Sequence, residues 1–143
     1  MLLANRKVSE FIGKQDKNTN IPWVFAWKIR SSKALLFFSY RVKIINNSDA
    51  IVKLLSRYWH IKDGKGQSED IHGPGVVGQT PSIKPKEFFQ YTSFCPLQTP
   101  IGFMNGSYRM VLENGEQFDA EIPQFKLVAD EYLNWSSLIA III

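Results

Sequence analysis

The chain has 143 residues, a length that predicts a single domain. Hydrophobic residues make up 45% and charged residues 21% of it, which excludes global disorder and allows a core without disulfide or metal support. Residues 1–62 carry twelve Lys and Arg against three Asp and Glu, whereas residues 63–143 carry five against ten. The basic residues are dispersed among apolar ones, so the sequence favours solvated strand faces over a nucleic-acid surface.

Neither end of the sequence predicts a targeting or membrane segment. The start, MLLANRKV, has too short an apolar stretch for a signal peptide, and SLIAIII at 137–143 is far too short to span a membrane. The single cysteine, Cys95, cannot form an internal disulfide, which favours a reducing compartment. We therefore expect a cytoplasmic protein with no membrane partner.

Short apolar segments between frequent turn signals predict an all-β domain. The first strand candidate is PWVFAWKIR at 22–30. FFSYRVKII at 37–45 alternates with period two, which predicts a half-buried strand. Turn residues at 46–49 precede another strand at 51–62, and these two strands are predicted to form a hairpin.

The second half of the chain continues this pattern. An aromatic strand is predicted at 87–94, and the alternating runs 106–112 and 118–122 flank Asn114-Gly115, a strong hairpin signal. Pro123 limits the later strand to an edge or a bulge.

The number of strands predicts a sandwich of two β-sheets. Only residues 1–12 and 129–139 are candidates for short helices. The aromatic residues Trp23, Trp27, Tyr58 and Trp59 are interpreted as core in such a sandwich, with a stacking platform as the alternative.

The motif GPGVVG at 73–78 matches the G-x-G-x-x-G fingerprint of dinucleotide-binding proteins. That fingerprint requires a following helix, which Pro81 and Pro85 exclude. Three prolines and three glycines between 73 and 85 instead predict one long ordered loop without regular structure.

A glycine-rich loop can still direct backbone amides at an anion without a helix. The glycines Gly73, Gly75 and Gly78 would let the main chain approach a phosphate or pyrophosphate, with His72 and Arg57 as cationic supplements. The alternative, which we favour, is that these glycines only satisfy a tight turn.

No other residues assemble into a catalytic or metal site. His60 and His72 lie twelve residues apart with acidic residues between them, a spacing that does not require a shared metal ion. Cys95 precedes a proline and has no neighbouring base, so we interpret it as a buried inert thiol. We expect no catalytic residue and no cofactor, and interpret the chain as a binding or interaction module. The rival hypothesis is a metal-dependent phosphohydrolase acting on nucleotides through the glycine loop.

Four segments in succession resemble the ApaG domain: LLSRYWHIKDGKG (54–66), the glycine loop, PSIKPKEFFQYTSFCPLQTPIGFMNGSYRM (81–110) and NGEQFDAEIPQFKL (114–127). ApaG proteins are small bacterial chains, and the domain also occurs in eukaryotic F-box and polymerase-interacting proteins. The resemblance implies an immunoglobulin- or fibronectin type III-like antiparallel β-sandwich of about seven strands. It also implies a link to cobalt resistance and magnesium efflux, and a glycine motif at Gly73, Gly75 and Gly78.

The resemblance divides the chain into an N-terminal segment at 1–21, a sandwich domain at 22–127 and an apolar tail at 128–143. Either residues 31–44 are an insertion, or the resemblance begins only near residue 37. The tail has no counterpart in the family and, if exposed, would promote self-association. A protein partner, a phosphate-type ligand and an oligomer all remain compatible with the sequence.

Overall fold

The computed structural model describes residues 23–26, 36–129 and 138–143, and these residues form nine β-strands joined by turns and loops. The strands are β1 (Trp23–Ala26), β2 (Leu36–Ile45), β3 (Val52–Asp63), β4 (Ser68–Pro74), β5 (Ser82–Ile83), β6 (Phe88–Leu97), β7 (Ile101–Leu112), β8 (Gln117–Ala129) and β9 (Leu138–Ile142). The described part of the chain contains no helix. None of its segments is therefore a membrane-spanning helix.

The strands form two sheets that pack face to face. The larger sheet has the order β1-β8-β7-β3-β4 with β5 also paired to β3, and the smaller has the order β6-β2-β9. Tyr40 of the smaller sheet meets Trp59 and Phe125 of the larger one at ring-centroid distances of 5.6 and 6.2 Å. The predicted all-β sandwich is confirmed.

The alternation in β2 sorts its side chains between core and surface as predicted. Phe38, Tyr40, Val42 and Ile44 are buried, whereas the residues between them are partly exposed. This strand is the centre of the smaller sheet, so its apolar face supplies one wall of the core.

The hairpin of β7 and β8 is also confirmed. Gly115 adopts a φ of +84° in the connecting turn, and the amide of Glu116 donates to the Asn114 side chain. Pro123 lies where the β7–β8 register shifts, between the pairs Met104–Phe125 and Gly106–Ile122. It therefore occupies a bulge, one of the two positions predicted for it.

The predicted hairpin between 37–45 and 51–62 is wrong. The strand β2 pairs with β6 and β9, whereas β3 pairs with β4, β5 and β7, so the connection between them crosses from one sheet to the other. The fully buried Asn46 forms this corner, because its side-chain amide donates to the carbonyls of Ala50 and Ile83, both at 2.8 Å. A hydrogen bond to Ile83, 37 residues away, is not visible in local sequence.

The prediction of one irregular loop over 73–85 is also wrong. The strand β4 extends to Pro74, and Ser82–Ile83 form the short strand β5 against β3. Proline is tolerated there because it ends an edge strand, where no ladder donor is required. The irregular part is the turn between these two strands.

Two pairings are parallel and connect distant parts of the chain. The strand β1 lies parallel to the end of β8, and β9 lies parallel to β2. The side chains of Ile139, Ile141 and Ile143 are buried, so the apolar run, predicted to promote association only if exposed, lies in the core. Of the predicted short helices, 1–12 lies outside the described residues, and the described ends of 129–139 belong to strands.

Candidate functional site

The residues of the predicted anion site lie on and beside the ladder between β3 and β4. In its register, Arg57 is opposite Gly73, Tyr58 is opposite His72, and His60 is opposite Asp70. Because side chains alternate between the faces of a sheet, Arg57 and His72 project to opposite faces of this ladder. The structure therefore brings Arg57 to the glycine loop and separates His72 from it.

The guanidinium of Arg57 lies flat against the main chain at Gly73. A Cβ atom on Gly73 would be 2.9 Å from Nη2 of Arg57, so a side chain here would displace the guanidinium. Nη1 of Arg57 donates to the carbonyl oxygens of Pro74 at 3.0 Å and Gly75 at 2.8 Å. The arginine thus ties β3 to the beginning of the loop.

The loop itself is a tight turn that uses most of its own amides. The amide of Gly75 donates to the carbonyl of Leu55 at 2.9 Å. The amides of Val76 and Gln79 each donate to the other residue's carbonyl, at 2.8 and 2.9 Å. These three amides are committed to backbone partners, which leaves Val77 and Gly78 at the tip of the turn as the amides available to an anion.

Positive φ angles show what the glycines do in this turn. Gly75 has a φ of +58°, and a Cβ there would lie 2.2 Å from the carbonyl oxygen of Gln79. Gly78 has a φ of +75° with open space around the position of its missing Cβ. Both need the left-handed conformation, but only Gly75 is also fixed by close packing.

Val77 is the residue in this loop that the sequence analysis missed. It has a φ of +44°, although a β-branched side chain in the left-handed region is a steric outlier. Its side chain is nonetheless 49% exposed. The glycine motif singles out Gly75 and Gly78. The strained residue between them, Val77, has an exposed apolar side chain that the motif does not mark.

The opposite face of the β3–β4 ladder carries an ordered polar network. Asp70 accepts a hydrogen bond from the hydroxyl of Tyr58 at 2.8 Å and lies 2.7 Å from Nδ1 of His60. The ring of His72 stacks on Tyr58 with centroids 4.7 Å apart. The hydrogen bonds from His60 and Tyr58 lower the pKa of Asp70, and the bond to Asp70 raises the pKa of Tyr58. A hairpin predicted around the Asp63-Gly64 turn would have placed Tyr58 opposite His72 and His60 opposite Asp70, and so would have predicted this cluster.

The described residues contain no group of three or more His, Cys, Asp and Glu side chains placed to hold a metal ion. Cys95 is 2% exposed, as predicted, and burial raises its pKa to about 12. Trp59 belongs to the core, whereas Tyr58 is on the surface. The side chain of Trp23 and the whole of Trp27 lie outside the described residues.

A cavity of about 510 Å³ lies at the other end of the same ladder, between the β3–β4 turn and the end of β6. Its lining includes the acidic residues Asp63 and Glu69 beside Ile61 and Leu97. Asp63 is already engaged, because its Oδ1 accepts from the amides of Lys65 and Gln67, both at 2.9 Å. This cavity is separate from the glycine loop.

The family profile described as the ApaG domain matches residues 26–112. The chain belongs to the ApaG family. Protein ApaG of Methylocella silvestris is 49% identical over 109 residues, which cover 76% of this chain and 84% of that protein. Protein ApaG of Agrobacterium fabrum is 53% identical over 90 residues, covering 63% and 69% of the two chains.

The fold agrees with solved structures. The crystal structure of the putative ApaA protein from Bordetella pertussis superposes with a TM-score of 0.66 at 42% identity, covering 71% of this chain and 82% of that one. An X-ray structure of a structural genomics target gives a TM-score of 0.72 at 40% identity, covering 78% and 86%. The matched range begins at residue 26, ahead of residues 31–44, and the described part of those residues is strand β2.

Proposed function

We propose that this ApaG-family chain is a non-enzymatic, cytoplasmic binding module that recognises a partner protein with the tip of its glycine-rich turn. The observation that carries this proposal is the conformation of Val77. Strained residues persist where the surrounding structure holds them, and they concentrate at functional sites. An exposed apolar side chain in a strained conformation at the tip of a turn is suited to insertion into a partner's pocket.

The base of the turn supports the same proposal because it is rigid. Arg57 holds two of its carbonyls, Gly75 packs against Gln79, and two mutual backbone hydrogen bonds join Val76 to Gln79. A contact residue on a preorganised base loses little conformational entropy when a partner binds. Val77 is therefore presented in one orientation.

Replacing Val77 separates recognition from folding. Asparagine tolerates the left-handed conformation better than valine, so Val77→Asn should fold at least as stably as the wild type while losing the apolar contact. Val77→Ile keeps an apolar β-branched side chain and is the matched control. Chemical crosslinking from native lysate, read by mass spectrometry, should give proteins captured by the wild type and Val77→Ile but not by Val77→Asn. Equal capture by all three would contradict the proposal.

The rival hypothesis, a metal-dependent phosphohydrolase, requires that the protein hydrolyse a nucleotide substrate. Purified protein incubated with Mg²⁺ or Co²⁺ and a dinucleoside polyphosphate should release no phosphate above the background of the buffer. Phosphate release that disappears in Gly75→Ala would instead establish a phosphohydrolase that uses the loop.

A phosphate or pyrophosphate site at the loop is the second candidate, and the guanidinium of Arg57 over Gly73 favours it. Pyrophosphate titrated into ¹⁵N-labelled protein would then shift the amides of Val77 and Gly78, with weak affinity in the millimolar range, about 4 kcal/mol. Arg57→Lys should weaken this binding, since lysine lacks the planar fork, while His72→Ala on the other face should not. Shifts spread over the surface, or none, would leave the loop as a structural turn.

The proposed link to cobalt resistance and magnesium efflux is tested in cells. Loss of the gene should lower tolerance to Co²⁺, and wild-type protein should restore it. Restoration by Val77→Asn at equal protein level would separate the ion phenotype from the proposed recognition surface.

A further inference from the structure

The strand β6 lies at one edge of the smaller sheet and has an unusual composition for an edge. Within the described residues its only pairing is with β2. It is ten residues long, FFQYTSFCPL, and carries no charged residue. Edge strands usually avoid association through charges, proline, short length or bulges. Here the one such feature is Pro96, close to the end of the strand.

The outward side of β6 carries two exposed phenylalanines. Phe88 is 57% and Phe94 is 59% exposed, and they are two of the three large hydrophobic side chains most exposed in the described chain. Nζ of Lys43 lies 4.2 Å from the ring centroid of Phe88 and covers only part of it. Two exposed phenylalanines on the same outward face of an uncharged edge strand make this face a candidate interaction surface.

The backbone groups on the free edge can be assigned from the ladder with β2. The amide of Asn46 donates to the carbonyl of Glu87 at 2.9 Å, next to the pair Ile45–Phe88. Hydrogen-bonded and non-hydrogen-bonded pairs alternate along an antiparallel ladder. Because Glu87 bonds to Asn46, the next residue, Phe88, and every second residue from it up to Pro96 direct their amide and carbonyl groups away from β2. Pro96, which has no amide hydrogen, fits this assignment.

The free edge is complementary to itself. Phe88 and Phe94 each lie three residues from Tyr91. A second β6 strand, antiparallel to the first and related by a two-fold axis at Tyr91, places Phe88 opposite the partner's Phe94 and Phe94 opposite the partner's Phe88. The same register pairs Gln90 with the partner's Thr92, and these residues have their free backbone groups facing each other.

We propose that the β6 edge is a homodimer interface, in which two copies pair antiparallel about Tyr91 and join their smaller sheets into one six-stranded sheet. The partner is a second copy because a single two-fold rotation both covers the two exposed phenylalanines and pairs the backbone groups of the free edge. Four phenylalanine rings, each more than half exposed, contribute roughly 350 Å² of apolar contact. Stable interfaces bury at least about 1,200 Å², so a contact of this size predicts a weak dimer that forms only at high protein concentration.

The test exchanges the phenylalanines for charges that report the register. Phe88→Glu with Phe94→Glu, and Phe88→Lys with Phe94→Lys, each place like charges across the two-fold axis and should be monomeric. An equimolar mixture of these two variants should associate more strongly than either variant alone. A single chain with Phe88→Lys and Phe94→Glu should likewise associate more strongly than the like-charged variants, because each Lys faces the partner's Glu.

Sedimentation velocity of the full chain from 5 to 500 µM measures the result, with thermal unfolding to show that each variant is folded. Thr92→Pro, which removes one free-edge donor at a position like that of Pro96, should weaken the dimer at least tenfold, and Val77→Asn should not. A wild type that stays monomeric at 500 µM would overturn the proposal. Undiminished dimers of both like-charged variants would also overturn it and would locate the interface elsewhere.

Discussion

Four ionisable groups lie between the two sheets as neutral species. Burial raises the pKa of Tyr40, Tyr91, Tyr108 and Cys95, and for the thiol it reaches about 12. Tyr91 and Tyr108 share a hydrogen bond between their hydroxyls. The polar atoms in the core are thus paired or protonated at neutral pH, which is the condition for burying them without a large cost.

Cys95 should react very slowly in the folded protein. A shift of the pKa from 9.0 to about 12 lowers the thiolate fraction at pH 8 by about a thousandfold, and burial also blocks access. Labelling with a disulfide reagent at pH 8 should therefore be slow in buffer and fast in 8 M urea. Fast labelling of folded protein would show that the sandwich opens beside β6.

The same shift makes stability depend on pH in the alkaline range. Because the folded pKa of Cys95 lies above its unfolded value, its contribution is complete below pH 9 and is lost as the pH rises toward 12. The tyrosines act in the same direction from about pH 10. The free energy of unfolding in urea should consequently fall between pH 9 and 11.

The two buried hydroxyls should behave as a coupled pair. Tyr91→Phe leaves the hydroxyl of Tyr108 without its partner and should cost about 1 to 3 kcal/mol of stability. Tyr91→Phe combined with Tyr108→Phe should cost less than the sum of the single changes, since no orphaned hydroxyl remains. The free energies of unfolding in urea of the wild type, the two single variants and the double variant give the coupling energy. Tyr58→Phe on the surface is the control. Strict additivity would mean that the hydrogen bond adds nothing.

At the scale of elements, the alternating strands follow from local pattern, whereas the strands β5 and β9 and the pairing partners do not. The alternation of β2 and the Asn114-Gly115 turn are local, and both predictions are confirmed. The partner of β2 depends on Asn46, whose hydrogen bond to Ile83 exists only in the folded chain. For the candidate site, the sequence named Arg57 and His72 as cationic supplements, but the place of Arg57 opposite Gly73 and of His72 on the other face both required the β3–β4 register.

The turn between β4 and β5 supplies a matched pair of substitutions. Gly75→Ala and Gly78→Ala both place a side chain at positive φ, which costs about 1 to 2 kcal/mol. Gly75→Ala adds a clash with the carbonyl of Gln79, whereas the surroundings of Gly78 are open. Urea unfolding should therefore show the larger loss for Gly75→Ala. A larger loss for Gly78→Ala would mean that the turn has a different conformation.

At the scale of the whole molecule, both sheets are completed by parallel pairings between distant segments. The strand β1 joins the end of β8, and β9 joins β2. Such pairings have no local turn signal, and the family resemblance made residues 128–143 a tail without a counterpart. Its buried isoleucines instead make the last strand part of the core.

Ile141 and Ile142 test this role of β9. Ile141 is fully buried, so Ile141→Ala should lower the free energy of unfolding by about 2 to 5 kcal/mol. Ile142 is partly exposed on the other side of the strand, and Ile142→Ala should cost distinctly less. Chemical unfolding compares the two, and equal small losses would show that β9 is not packed in solution.

The parallel pairing of β9 also governs when the chain can fold during its synthesis. The central strand β2 is made early, but residues 138–142 emerge after every other described strand. Until then β2 has an open edge and the isoleucine layer is missing, and contacts between distant segments form slowly. A nascent chain therefore presents an incomplete small sheet to chaperones until residues 138–142 have emerged. Ribosome-bound chains stalled before and after these residues should differ sharply in resistance to protease.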